Sequence, residues 1–152
     1  SYSCWDSLAG DQKRIGERLV EALDFLQGKL REKRGTLFLP GKRVFIGEYG
    51  FPLQRAGSPF RQAQLSSLVT RTAIGWGCPF VLYWQIYCNE IKQGKHRGFW
   101  AINDRGEKQP VYYLHKRFYE RARRFLKDYR EKNGYLPSFD FFRKEALRWL
   151  EP

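Results

Sequence analysis

The fold is decided by residues 43–51, which read Arg-Val-Phe-Ile-Gly-Glu-Tyr-Gly-Phe. The run 44–46 is apolar and β-favouring, and two glycines close it, as expected for a parallel strand covered on both faces. Glu48 therefore lies where this strand ends. In a parallel barrel the carboxyl ends of the strands carry the catalytic groups, so Glu48 is a candidate catalytic residue. A glutamate that merely pairs with one of the many arginines remains an equal alternative at this point.

Upstream of this stretch the sequence predicts one strand end and one long helix. Residues 2–7 are small and aromatic and then polar, which indicates the last residues of a strand and its turn. Between residues 11 and 33 apolar side chains recur at spacings of three and four, the pattern of an amphipathic helix. Gly35 is a stop signal for this helix, and Pro40-Gly41 predicts a turn into the next strand.

Downstream of residues 43–51 the sequence continues to predict helices and strands in alternation. Ser58-Pro59 predicts the start of a second helix that runs to about Ile74. The apolar run from Cys78 to Cys88 predicts a second strand covered on both faces, and residues 92–110 predict a long polar loop. Pro110 opens a third helix that stops at Asn133-Gly134, and Ser138 begins a short last one. This order is typical of βα units with a parallel sheet.

Composition limits the class of protein. The chain has 152 residues, 42% of them hydrophobic and 17% aromatic, which fits one folded domain and excludes a disordered chain. The formal net charge is +12. Its basic runs at 31–34, 92–97 and 116–130 fall on expected helix faces and loops, the first and the last with acids mixed in, which predicts solvated surface. Nucleic-acid binding ranks last because no recognised binding motif accompanies the charge.

The cysteines argue against a disulfide framework or a zinc site. Cys4, Cys78 and Cys88 have no metal-ligand spacing, and each lies in or beside an apolar run where a free thiol packs as a small hydrophobe. The sequence contains no metal or cofactor motif, and we expect neither. It has no apolar window of about 18 residues, so no membrane span is predicted. The opening residues lack the order of a signal peptide.

Two segments carry a resemblance to a known family. Val-Phe-Ile-Gly-Glu-Tyr-Gly at 44–50 and Phe-Val-Leu-Tyr-Trp-Gln-Ile-Tyr at 80–87, with one helix between them, resemble strands seven and eight of clan A retaining glycoside hydrolases. Those enzymes are built on the (β/α)8 TIM barrel, which typically needs about 250 residues. The resemblance implies that residues 1–134 are the last three βα units of such a barrel. Residues 135–152 match nothing in the family and are expected to form an appended C-terminal helix.

The resemblance also implies a catalytic role for Glu48. Glu48 matches the position at which the family carries its nucleophile, and Trp84 matches the tryptophan that forms the floor of the sugar subsite. A retaining enzyme needs a second carboxyl group about 5–5.5 Å from the nucleophile as acid/base. The family supplies it from an Asn-Glu pair after strand four, so we expect it from a missing N-terminal half or another chain. Asn89-Glu90 is such a pair, but it follows the last predicted strand and is interpreted as loop.

Other rings are candidates to contact sugar, because aromatic faces stack on pyranose rings. These candidates are Trp5, Trp100 and Tyr49, whereas core packing is favoured for Trp76 and Trp149. His96 and His115 are expected in a loop and on a helix surface.

The expected fold is thus α/β, the C-terminal half of a TIM barrel that is incomplete on its own. The expected function is that half of a retaining β-glycoside hydrolase, acting on a β-glycoside. The alternative is a non-catalytic carbohydrate-binding or interaction module. We expect the isolated chain to be inactive and to be insoluble, associated or partnered, because a half-barrel leaves strand edges unpaired.

Overall fold

The structure, a computed structural model, describes residues 1–32 and 41–150. In this part the chain is mixed α/β, with a small parallel sheet and no closed barrel. It divides into two compact units, Ser1–Gly50 with Leu68–Trp84 and Phe51–Ser67 with Gln85–Pro152. No helix among the described residues is both long enough and apolar enough to cross a membrane.

The first unit contains the parallel sheet. Its strands are β1 (Tyr2–Ser3), β2 (Ile46–Tyr49) and β3 (Val81–Tyr83), and β2 lies in the centre. Both neighbours of β2 run parallel to it. The predicted parallel arrangement is therefore confirmed, and the residues predicted as a strand end at the start of the sequence do form β1 and its turn.

Helix α1 (Ile15–Glu32) follows a 3₁₀ turn at Gln12–Arg14. The side chain of Asp11 caps this turn by accepting a hydrogen bond from the Lys13 amide at 3.0 Å. Residues 15, 19 and 23, spaced by four, are fully buried, which confirms the predicted apolar face. The predicted helix end at 33, the stop at Gly35, the turn at Pro40 and most of the basic run 31–34 lie outside the described residues.

The predicted limits of the central strand were wrong by two residues. Strand β2 begins at Ile46 instead of Val44, so Glu48 lies inside it and not beyond its end. Gly47 was interpreted as a strand stop. A Cβ atom at Gly47 would lie 2.8 Å from the Ser1 Cβ atom, so glycine here permits the close approach of Ser1, the residue that precedes β1.

The predicted strand from Cys78 to Cys88 was also wrong in length and burial. Only Val81–Tyr83 forms β3, and its Leu82 is 51% exposed, while Phe80 just before it is 62% exposed. In the described sheet β3 pairs only with β2, on one side. An apolar run therefore does not by itself show that both faces of a strand are covered.

Helix α3 (Pro59–Trp76) contributes residues to both units, and polar side chains lie on its buried side. Phe60 is 75% exposed, whereas Gln62, Ser66 and Thr70 are buried. The N-terminal signal was right, because the Ser58 hydroxyl accepts a hydrogen bond from the Arg61 amide at 3.1 Å. The helix ends at Trp76, two residues beyond its predicted end at about Ile74.

The second unit adds two short features that the sequence did not predict. Helix α2 (Leu53–Ala56) lies between β2 and α3 in sequence. Strands β4 (Ile91–Lys92) and β5 (Lys95–His96) form an antiparallel hairpin at the start of the predicted polar loop.

Helices α4 (Pro110–Asn133) and α5 (Phe139–Trp149) were predicted correctly. Gly134 ends α4 with a left-handed backbone (φ 78°), and the Ser138 hydroxyl caps α5 through the Phe141 amide at 3.2 Å. Between these helices the Trp149 and Phe125 ring centroids lie 5.5 Å apart, so Trp149 packs as expected.

Trp76 does not have the core position that was predicted for it. Its indole is partly exposed and its N–H donates to the Asp24 carboxylate at 2.8 Å. The Lys42 ammonium lies 4.0 Å from the centroid of the ring and also donates to Asp24, at 3.3 Å. Trp76 therefore belongs to a polar surface contact.

Candidate functional site

Glu48 is the third residue of the central strand β2 and is partly exposed. It lies opposite Ser3 of β1 in the parallel register. Because β2 has a neighbour on each side, the backbone at Glu48 is fixed by sheet pairing. A carboxylate on such a backbone has little freedom beyond its own side-chain rotation, which suits a group that must be aimed at a ligand.

Trp5 holds the carboxylate of Glu48. Its indole N–H donates to Glu48 Oε2 at 3.2 Å, and the Cys4 amide donates to the Glu48 carbonyl oxygen at 3.1 Å. The turn after β1 is thus tied to β2 through both backbone and side chain. Among the described residues nothing donates to the second oxygen, Oε1, so one oxygen of the carboxylate is oriented and the other is available.

Trp84 follows the last residue of β3. Its amide donates to the carbonyl oxygen of Tyr49, the last residue of β2, at 2.8 Å, which extends the ladder one residue beyond β3. The side chain is partly exposed. Because the strands are parallel, their carboxyl ends share one edge of the sheet, and Trp5, Glu48 and Trp84 all lie at that edge. This is the edge at which open α/β sheets bind ligands.

Tyr49 was expected to contact substrate, and its surroundings contradict this. The side chain is fully buried, its hydroxyl lies 2.8 Å from the Thr70 hydroxyl, and its ring packs edge-on against Tyr83 at 5.3 Å. Burial also raises the pKa of Tyr49 above its ordinary value. The ring presents no surface to a ligand, so its role is to fix β2 against α3.

Trp100 belongs to the second unit. Its ring centroid lies 5.6 Å from that of the exposed His96. Nearby in sequence, the Arg97 guanidinium forms an ion pair with Glu90 at 2.6 Å and lies 4.7 Å from the Phe99 ring centroid. Glu90 is therefore engaged within the hairpin, as the loop interpretation of Asn89-Glu90 implies. A sugar contact by Trp100 stays a prediction.

The buried titratable groups are not suited to catalysis. Cys4, Cys78 and Cys88 are free and buried, which confirms their predicted packing role. Burial raises the pKa of Cys4 and of Cys78 to about 12, so neither is a thiolate at neutral pH. His115 was expected on a helix surface; it lies on α4 but is only partly exposed, and desolvation lowers its pKa to about 4.

Sequence reasoning missed the bond between Trp5 and Glu48. A signal for it existed, because Trp5 follows β1 as Trp84 follows β3, and residues just beyond parallel strands meet at one edge. No group of three or more His, Cys, Asp or Glu side chains in the described part of the chain is arranged to hold a metal ion.

Comparisons with protein-family models, with curated proteins and with solved structures found no match to this chain.

Proposed function

We propose that this chain supplies the nucleophile of a retaining β-glycoside hydrolase, as the C-terminal half of a (β/α)8 barrel. The observation that carries the proposal is the carboxylate of Glu48. It sits at the carboxyl edge of a parallel sheet, on the central strand, with one oxygen oriented by the Trp5 indole. The resemblance of residues 44–50 and 80–87 to the last two barrel strands of such enzymes points to the same residue.

The chemistry assigns one step to Glu48. A carboxylate oxygen attacks the anomeric carbon of the sugar, the bond to the glycosidic oxygen breaks, and a covalent glycosyl ester forms. The leaving oxygen takes a proton from the acid/base. Water then attacks the same carbon, returns its proton to that residue and releases Glu48. The indole N–H of Trp5 is a hydrogen-bond donor only, so it orients the carboxylate and takes no proton in either step.

The two tryptophans at this edge supply the sugar contacts. Trp84, directly after β3, is proposed to form the floor of the subsite, and Trp5, whose partly exposed indole donates to Glu48, is proposed to contact the same sugar. Aromatic faces bury the apolar face of a pyranose ring at little conformational cost. Trp100 is a further candidate for a sugar contact, whereas the fully buried Tyr49 is not.

The proposal requires a partner. The acid/base carboxyl group would come from βα units that precede these three in a barrel, on the same polypeptide or on another chain. Strands β1 and β3 are the outer strands of the described sheet, and their free edges are where further parallel strands would pair.

The test uses activated fluorosugars, which need no acid catalyst. A dinitrophenyl 2-deoxy-2-fluoro-β-glycoside loses its leaving group without protonation and traps the glycosyl ester, so only the nucleophile is required. We expect one of a panel of gluco, galacto, manno and xylo reagents to add one sugar to the peptide containing Glu48. Mass spectrometry of the 152-residue chain measures the addition.

The controls compare two carboxylates, Glu48 and Glu90, and replace the Trp5 indole by a ring without an N–H. Glu48→Gln should remove labelling, whereas Glu90→Gln should keep it. Trp5→Phe removes a hydrogen bond to a charged group and should slow labelling about tenfold or more. Labelling that is unaffected by Glu48→Gln, or no labelling by any reagent of the panel, would remove the assignment.

A second candidate function is carbohydrate binding without hydrolysis. It is favoured by one observation, the presence of two partly exposed tryptophans, Trp5 and Trp84, at the same edge of the sheet as the Glu48 carboxylate, to which Trp5 donates. This candidate predicts oligosaccharide binding in calorimetry that is lost in Trp84→Ala and kept in Glu48→Gln, together with no covalent labelling.

A further inference from the structure

Helix α4 carries a line of basic and tyrosine side chains. One side of the helix is followed by stepping alternately four and three residues along the sequence. From Tyr112 these steps lead to Lys116, Tyr119, Arg123, Leu126 and Arg130. Lys108 extends the line, because its ammonium lies 5.1 Å from the Tyr112 ring centroid. We call Lys108, Tyr112, Lys116, Tyr119, Arg123 and Arg130 the basic–tyrosine stripe. From Tyr112 to Arg130 it is about 27 Å long.

The stripe contains no acidic residue. Lys116 pairs with Glu120 at 3.6 Å beside it, and both side chains are half exposed, so this pair exchanges readily with an external anion. In the described part of the chain neither Arg123 nor Arg130 forms an ion pair, and both are exposed. The stripe therefore offers guanidinium groups, which bind carboxylate, sulfate and phosphate through two parallel hydrogen bonds.

The tyrosines add exposed aromatic surface to the basic–tyrosine stripe. Tyr119 is 62% exposed, although a tyrosine at an exposed helix position gains nothing from packing. It lies between Lys116 and Arg123 along the helix. Tyr112 lies seven residues earlier, about 10 Å along the axis. This spacing is comparable with the disaccharide repeat of an extended polysaccharide.

We propose that the basic–tyrosine stripe binds an acidic polysaccharide, a chain of pyranose units that carries carboxylate or sulfate groups. The tyrosine rings contact the apolar faces of the sugars, and the arginines and lysines pair with the anionic substituents. The choice of a glycan over a nucleic acid rests on the sugar-directed function proposed above. Binding at the stripe needs neither Glu48 nor a completed barrel, so it is tested separately from hydrolysis.

The experiment measures binding of the full chain to two matched pairs of polymers at several salt concentrations. The pairs are dextran sulfate with dextran, and an oligogalacturonate with its methyl ester. A poly(dT) oligonucleotide is the nucleic-acid probe. We expect the charged member of each pair to bind and the neutral member not to bind, with an affinity that falls as salt rises.

Two double variants separate the stripe from net charge. Arg123→Glu with Arg130→Glu should lower the affinity for oligogalacturonate at least about tenfold. Arg117→Glu with Arg124→Glu changes net charge equally, about a third of a turn away around the same helix, and should lower it far less. Tyr119→Ala should weaken binding severalfold, and Tyr119→Phe should keep it. Circular dichroism verifies that each variant is folded.

Three outcomes would overturn the proposal. Equal losses in the two double variants would mean that only net charge attracts the polymer. Full affinity in Tyr119→Ala would mean that no ring contact exists. Tighter binding of poly(dT) at the same salt, with the same dependence on Tyr119, would make the stripe a nucleic-acid site. If Glu48 is labelled and the stripe fails, only this inference falls. If the stripe binds and labelling fails, only the hydrolase proposal falls.

Discussion

Glu48 and Tyr49 are neighbours in β2, but their side chains have different surroundings. Tyr49 is fully buried and bonded to Thr70, whereas Glu48 is partly exposed and bonded to Trp5. The buried residue anchors the strand, and the anchored strand limits the positions that the neighbouring carboxylate can take. Replacement of Tyr49 would therefore be expected to disturb Glu48 through the backbone, without any contact between Tyr49 and a ligand.

His115 provides a prediction at the same scale. Its pKa is about 4 in the folded chain and about 6.5 when solvated, so the unfolded state binds more protons between these values. The free energy of unfolding should therefore fall as pH falls through this window. Because His115 keeps some contact with solvent, we expect a loss of about 2 kcal/mol between pH 7 and pH 4.5. Urea unfolding at both pH values measures it.

The control for this prediction is the other histidine. His115→Gln removes the ionisation and should flatten the pH dependence, whereas His96→Gln, at an exposed position, should leave it unchanged. An equal pH dependence in His115→Gln and in the parent chain would contradict the assignment.

At the scale of elements, Gln62 on α3 joins two loops of the second unit. Its side-chain amide is fully buried and donates to the carbonyl oxygens of Phe51 at 2.6 Å and of Gly98 at 2.7 Å. Gln62→Met would leave both carbonyl oxygens buried without this donor. The Gln62 Oε1 atom has no hydrogen-bond partner among the described residues, so its removal offsets part of the cost. We expect a loss of about 2 kcal/mol in urea unfolding.

Gln64 gives the matched comparison, because it lies on the same helix and is exposed. Gln64→Met should change the free energy of unfolding by less than about 0.5 kcal/mol. Similar losses in the two variants would show that helix propensity, and not the buried amide, sets the stability.

The helices were predictable because their signals are local. Ser138 and Gly134 mark helix ends through hydrogen bonds and backbone geometry that the neighbouring residues determine. The buried face of α3 was not predictable in this way. Gln62 and Thr70 face the interior with partners distant in sequence, the Phe51 and Gly98 carbonyls for Gln62 and the Tyr49 hydroxyl for Thr70.

The candidate site was predictable in part. The strand pattern indicated Glu48 at a strand end, and the resemblance indicated Trp84 within the predicted strand 78–88, with Trp5 and Trp100 as further ring candidates. The sequence did not indicate which of the neighbouring side chains is buried, so Tyr49 was counted among the ligand contacts. The two faces of the strand could have been separated only by an alternation of apolar and polar residues. Gly47 and the irregular register of β2 obscure that alternation.

At the scale of the whole molecule, the sheet presents apolar surface that folding of the described residues does not cover. Leu82 in β3 and Phe80 beside it are more than half exposed, and β3 is an outer strand. An exposed apolar strand at a sheet edge pairs readily with another chain. This surface is the physical reason to expect that the chain associates or requires a partner.

The corresponding prediction concerns the oligomeric state. Light scattering after gel filtration of the 152-residue chain should give a mass above 18.1 kDa, rising with concentration. Leu82→Lys places a charge on the outer strand and should shift the mass toward that of one chain. Phe25→Lys removes a comparable exposed side chain from α1, where Phe25 is 63% exposed, and should leave the mass unchanged. A monomeric parent chain at all concentrations would show that the open edge needs no partner, and the half-barrel interpretation would lose its main physical support.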